Sequence, residues 1–293
     1  MYLRLKDYDR LIQGDNLTQI ISQDSSVRLL SEQVAIEEAC SYLRPKYDIA
    51  EEFNDTEQFL MTTTYSVDSR VNLEGYEYYN NANSYLVNDI VFANNEQVYV
   101  CNTPTTGVFD PNDWDLIGNK SDLFYVKAPY PMFNYRTGNY KIGEQVTFRD
   151  KVYTALKPSP QLTHTDLLNA LTYANLPPTN ILPDDPTYGL SYWGVGVPYI
   201  ITGEYPTDTT LWVKGDNRSQ QMVMVIIDIT LYHIHSRIAP RNIPELRIIR
   251  YESAKDFLNK CNLGDISPDL PLLPIQNFNR VRWGGNTKTT NIY

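Results

Sequence analysis

Apolar positions recur at three- and four-residue spacing at the two ends of the chain, and in short alternating runs in its middle. Val27, Leu30, Val34, Ile36, Ala39, Cys40 and Leu43 form one amphipathic stripe. It starts near Ser25 or Ser26 and stops at Pro45, which biases Arg44 away from helical geometry. Ahead of it, the spacing predicts two short helices, one capped by Asp7 and ended near Gly14, the other capped by Asn16. Downstream, a helix over 217–237, capped by Asp216 or Asn217, is apolar on all sides through 222–227 and is predicted to be central and buried. Pro240 breaks it. Asn242, Pro244 and Glu245 then open a further helix that Gly264 stops.

Between these halves lies an internal repeat. Tyr85, Asp89 and Val91 recur as Tyr140, Glu144 and Val146 at the same intervals. Each copy continues as two alternating strands about a turn, Asn94-Asn95 or Arg149-Asp150, with Tyr99 or Tyr153 on the second strand. Pro104 and Trp114 close the first copy, Pro158 and Trp193 the second. Fourteen of the 23 tyrosines fall within 75–200, a composition suited to contact surfaces because the ring is apolar and its tip polar.

The pattern predicts an α+β chain: a discontinuous helical domain, 1–55 and 216–275, interrupted by a β-rich insertion over 56–215, with a C-terminal tail at 276–293. Two modules are expected in the insertion, near 76–118 and 130–200. Charge is divided the same way. The net charge is −10, but 54–215 carries 9 basic and 18 acidic side chains and 216–293 carries 10 and 7. A broad DNA-binding surface on the insertion is therefore not expected. No apolar run approaches the ~18–20 residues of a membrane span, and the start of the chain shows no secretory signal. Cys40, Cys101 and Cys261 are odd in number and lie in apolar surroundings, which reads as free buried thiols in a reducing compartment.

Two resemblances follow from these residues. The repeat, "YLVNDIVFANNEQVYVCNTPTTGVFDPNDW" and "YKIGEQVTFRDKVYTALKPSP", resembles the small aromatic β modules of chitin-binding type; of their usual Gly-Asp pair, each copy keeps one member, in Asn88-Asp89 and Gly143-Glu144. The ends, "AIEEACSYLRPKYDI" and "DITLYHIHSRIAPRNIPELRIIRYESAKDFLNKCNLGDISPDLP", with "GDNR" at 215–218 and "RVRWGG" at 280–285, resemble the head–tail adaptors of Mu-like and crAss-like tailed phages. The second resemblance implies a structural virion protein of the neck, made in the host cytoplasm. Its partners would be a homo-oligomeric, dodecameric ring, the portal and an adjacent tail or neck protein, with genomic DNA passing through unread. The alternative it leaves open is an adhesin-type virion protein whose modules bind glycans.

Candidate chemistry is sparse. His233 and His235 are two apart on a predicted helix and point to different faces, and His164 lies far away, so no metal site is expected. No nucleophile–base spacing, phosphate loop or Cys-x-x-Cys is present, and neither catalytic residues nor a cofactor is expected. The acid pairs Asp113/Asp115 and Asp184/Asp185 read as turn formers. Asp228, inside an apolar helix, needs a cation, and Arg250 is the expected partner. Tyr99, Trp114, Tyr153 and Trp193 are either contact residues for a glycan or protein, or the modules' own core. In the tail, Val281 and Trp283, with Arg280 and Arg282, are the expected partner contacts.

Overall fold

The computed structural model describes residues 2–21, 24–50, 52–93, 95–134, 140–158, 182–186 and 189–270, and these form a mixed α+β chain. Its helices are α1 (Leu5–Tyr8), α2 (Gly14–Ile20), α3 (Ser25–Leu43), α4 (Gly189–Trp193), α5 (Gln220–Ile238) and α6 (Glu245–Leu263). One apolar cluster unites residues from the two ends of the chain: Tyr2, Tyr8, Ala35, Leu43 and Tyr47 pack with Met222, Ile226, Ile227, Leu231 and Leu258. Helix α5 is central because the run at 222–227 is apolar all round, and nine of its residues are buried. Gly264 ends α6 in the left-handed region at φ 93°, where its N–H donates to Lys260 O at 2.9 Å.

Several caps differ from the sequence reading. Asp7 sits inside α1, where it accepts from Arg4 N. Gly14 opens α2 instead of closing α1, and Gln13 takes the cap position expected of Asn16. Ser219 caps α5, because Asp216 is engaged elsewhere, and Pro244 precedes α6 in place of Asn242.

The strands are β1 (Thr56–Gln58), β2 (Thr64–Ser66), β3 (Arg70–Asn72), β4 (Ser84–Tyr85), β5 (Ile90–Phe92), β6 (Gln97–Cys101) and β7 (Thr105–Thr106). They continue as β8 (Trp114–Asn119), β9 (Leu123–Val126), β10 (Gln145–Phe148), β11 (Lys151–Thr154), β12 (Val197–Pro198), β13 (Ile200–Thr202) and β14 (Trp212–Lys214). The two expected repeats are present, and a third accompanies them. In each, an aromatic ring stacks on a tyrosine and meets a tryptophan edge-on. Phe59, Tyr65 and Trp212 do so at centroid distances of 5.4–6.0 Å. Tyr79, Tyr85 and Trp114 do so at 4.9–5.6 Å, and Phe133, Tyr140 and Trp193 at 4.9–5.5 Å.

Hydrogen bonds repeat with the rings. Each tyrosine hydroxyl accepts from the N–H that follows the first aromatic: Leu60 at 2.7 Å, Asn80 at 2.8 Å and Asn134 at 2.6 Å. Three residues beyond each tyrosine, Asp68, Asn88 and Gly143 adopt φ of 59°, 76° and 87°. The residue after each, Ser69, Asp89 or Glu144, accepts the N–H that follows the tyrosine. The position therefore demands a left-handed residue followed by a side-chain acceptor, which explains why Asn-Asp and Gly-Glu replace Gly-Asp so easily.

The third copy is the outermost. Its two-stranded pairing, Val71 with Phe124, is split by the whole first inserted module, and Trp212 arrives only after the second. The three hairpins are equivalent: Val71 faces Phe124, Val91 faces Tyr99, and Val146 faces Tyr153. The first inserted module is sandwiched. One face of its sheet holds Val91, Cys101 and Trp114; the other, Phe92, Val98, Val100 and Ile117, joins the core of the outer module. The two approach so closely at Gly118 that a Cβ there would lie 2.8 Å from Leu73 Cδ1. The second inserted module has a separate core of Val146, Tyr153, Ala155 and Trp193.

Replacing 131–198 by a flexible linker of about ten residues is expected to leave the helices and outer module folded. Replacing 75–121 by a tight turn uncovers Leu73 and Phe124, at ~1.5–3 kcal/mol per large side chain, and is expected to lower the melting temperature far more. Circular dichroism and thermal melts of both variants check this. Equal losses would contradict the separate core of the second module.

Candidate functional site

The chain leaves the helices near Tyr47 and returns at Ser219, and a buried ionic cluster closes that gap. Arg218 has a fully buried side chain. Its Nη1 donates to Asp7 Oδ2 at 2.7 Å and to Tyr2 O at 2.5 Å, its Nη2 to Asp7 Oδ1 at 3.2 Å and Asp216 Oδ2 at 2.8 Å, and its Nε to Asp216 Oδ1 at 2.9 Å. Arg70, from β3 of the outer module, donates to Glu52 O at 2.7 Å, Asn54 O at 3.1 Å and Asn217 Oδ1 at 2.5 Å. Glu52 Oε1 accepts from Tyr2 O–H at 2.7 Å and Ser219 N–H at 2.9 Å.

Electrostatics follow the burial. Burial pushes the Asp216 carboxyl up, but the hydrogen bond and charge of Arg218 outweigh it and hold it at about 2. Burial raises the Glu52 carboxyl, and likewise Glu32, whose oxygens accept from Leu3 N–H at 3.0 Å and Arg28 at 2.9 Å. Burial also lowers Arg70. Two guanidiniums and three carboxylates thus bind the N-terminal segment, the exit strand and the return segment into one network.

Arg250 Nη1 stands 3.5 Å from Asp228 Oδ1, with side chains 35 % and 18 % exposed. The pair is half in solvent, on the polar side of α5, so the expectation of a deeply buried acid is corrected: the helix is less uniformly covered than its composition implies. His233 Nε2 lies 2.9 Å from Glu38 Oε2, and His235 Nδ1 lies 2.7 Å from Leu231 O. Among the described residues no group of three or more His, Cys, Asp or Glu is placed to hold a metal, and no helix is long and apolar enough to cross a membrane. Cys40, Cys101 and Cys261 are free and buried.

The aromatic candidates resolve to core. Trp114, Tyr153 and Trp193 are buried, and Tyr99 is half-buried in the same cluster as Trp114. Their rings close the modules' small interiors and present no stacking platform. Asp184 pairs with Arg149, and Asp115 accepts from Asn102. His164 and the tail residues Arg280, Val281, Arg282 and Trp283 lie outside the described residues. Arg218 and Arg70 went unread in the sequence; the "GDNR" motif was visible, but not its pairing with Asp7.

No family model, curated protein or solved structure matches the chain.

Arg218→Met is expected to cost ~3–5 kcal/mol, because it leaves the buried Asp7 with only the 3.6 Å approach of Arg4 as counter-charge. Asp228→Ala should cost no more than ~1 kcal/mol, the scale of a partly exposed pair. Urea unfolding of both variants checks the ranking, and an Arg218→Met loss below that of Asp228→Ala would contradict it.

Stability should also depend on pH in two directions. Burial holds Glu32 and Glu52 above the ordinary glutamate value in the folded state, so the folded state gains on protonating them as pH falls from neutral. Asp216 is depressed to about 2, so its contribution is present above 3.8 and is lost as pH falls through about 2. Urea midpoints should therefore rise from pH ~7 toward ~5 and fall below ~4. A midpoint that declines steadily from neutral pH would mean the buried glutamates are offset by other groups.

Proposed function

We propose that this chain is a head–tail connector of a tailed bacteriophage, a neck adaptor that forms a ring between the portal and the tail components. The observation that carries the reading is one apolar helical cluster assembled from both ends of the chain, on the segments whose sequence resembles such adaptors. In this reading 1–55 and 216–275 are one discontinuous adaptor domain and 56–215 is its β-rich insertion. The helical body builds the homo-oligomeric ring, twelve-fold by the resemblance, and genomic DNA passes through it without being read. The modules project toward neighbouring virion proteins, and the tail at 276–293 docks on the portal or the adjacent ring through Val281 and Trp283, flanked by Arg280 and Arg282. No bond is made or broken; the work is burial of interface area in a closed symmetry. The reading needs no cofactor. The glycan-binding alternative draws no support from the four aromatic residues proposed for it, since their rings face inward.

Labelled chain should appear at the head–tail vertex in micrographs of purified particles. Its absence from particles, or its presence on fibre tips alone, would defeat the proposal. Trp283→Ala should leave the thermal midpoint of the free protein within about a degree while reducing incorporation into particles at least tenfold, on the scale of a ~2 kcal/mol hot spot.

A further inference from the structure

Among the described residues, hydrogen bonds and ion pairs join the second inserted module to the rest of the chain at three places. At its entry, the buried Thr147 exchanges bonds with the backbone of Tyr130: Tyr130 N–H donates to Thr147 Oγ1 at 3.4 Å, and Oγ1 donates to Tyr130 O at 3.0 Å. At its exit, Tyr199 N–H donates to Asp150 O at 3.0 Å. Just beyond these points the chain belongs to the outer module. Lys127 N–H donates to Leu211 O at 2.7 Å, and Ile200 pairs with Ser66. Two backbone crossings therefore connect the modules, one at Ala128–Pro129 and one between Tyr199 and Ile200. The apolar cluster of Val146, Tyr153, Ala155 and Trp193 draws on no residue from outside the module. Rotation about the line joining the two crossings breaks none of these backbone bonds and opens no shared core, which is the arrangement of a hinge.

The third place opposes that rotation. Arg149, on the turn between β10 and β11, brings Nη2 to 3.4 Å from Asp48 Oδ2, in the segment that follows α3. Its own module aims it: Asp184 pairs with Nη1, and the guanidinium lies 5.1 Å from the centroid of the Phe148 ring. On the other side, Asp48 Oδ1 accepts Ala50 N–H at 3.4 Å, which fixes the carboxylate. Arg149 stands at φ 56°, in the left-handed region where glycine would suit the turn better. What arginine adds there is a cation directed at the helical body. The two side chains are 43 % and 16 % exposed, so dissolved salt reaches the pair.

We propose that Arg149 and Asp48 form an electrostatic latch on a hinged second module. Paired, they hold the module against the segment that follows α3; unpaired, the module swings on its two crossings. An exposed pair shifts such an equilibrium by a factor of about two to five. Salt or a competing charged partner can therefore release it. The inference goes beyond the connector reading and does not use it, since it follows from the separate core, the crossings and the pair.

The test is a distance measured by double electron–electron resonance in the full chain. Spin labels go on Gln145→Cys in β10 and Glu252→Cys in α6, both exposed, while Cys40, Cys101 and Cys261 are buried. At ~0.01 M salt one distance should dominate. At ~1 M salt, where the screening length falls to ~3 Å, a second population should grow about two- to fivefold. Arg149→Gln should produce that growth at low salt and remove the salt dependence. Asp48→Asn, which keeps the acceptor for Ala50, should do the same. The double variant should go no further than either single one. Circular dichroism checks that each variant is folded, and the salt series on the parent needs no variant at all. A distribution unchanged by salt and by both substitutions would overturn the latch. Additive effects of the two substitutions would overturn it as well, because they would act on separate contacts.

Discussion

The fold depends on the burial of one guanidinium. All three nitrogens of Arg218 are bonded, to two carboxylates and a backbone carbonyl, and those acceptors come from the first residues of the chain and from the segment that returns out of the β part. Such a cluster adds little net stability over a well-packed apolar substitute, since desolvating the charges costs nearly as much as pairing them returns. What it imposes is geometry. An apolar contact between α1 and the return strand would tolerate sliding, whereas a bidentate pair tolerates almost none. Arg70 extends the same constraint to the outer module by gripping the carbonyls of Glu52 and Asn54 and the side chain of Asn217. The β part is therefore fastened to the helical cluster at both of its ends.

Once that neck is fixed, nested insertion carries little penalty. A hairpin loop is a place where two strand ends already stand side by side, so a guest whose own ends are close can enter without pulling the host apart. Asn72 and Leu123 are register partners, and the first inserted module leaves and re-enters between them. The module tolerates hosting because its identity rests on few features: a left-handed residue, an acceptor after it, a buried valine and three rings in contact. Interiors this small cannot gather many aliphatic side chains, and three aromatics bury comparable area with fewer residues to order.

These rules also decide what was legible in the sequence. Helix α5 could be read because 222–227 has no polar position, and the end of α6 because Gly264 supplies the φ its cap requires. The two inserted modules could be read because their tyrosines, turns and valines are contiguous. The outer module could not: the interval from Tyr65 to Val71 matches the other copies, but the strand opposite Val71 lies beyond the first guest and the closing Trp212 beyond both. Asp7 and Asp216 were misread as caps for a related reason. A carboxylate near a helix start suits capping and ion pairing equally, and only the position of Arg218, 211 residues from Asp7, distinguishes them.

The inward rings also limit how the β part can recognise anything. A glycan-stacking surface needs a ring face open to solvent, and Trp114, Trp193 and Trp212 spend theirs inside the modules, while Tyr78 and Tyr130 are the exposed aromatics among the described residues. The modules' outward surface is instead short loops carrying carboxylates and single aliphatic side chains, on a segment with twice as many acidic as basic residues. Tyrosine enrichment in these modules thus reflects small interiors closed by rings.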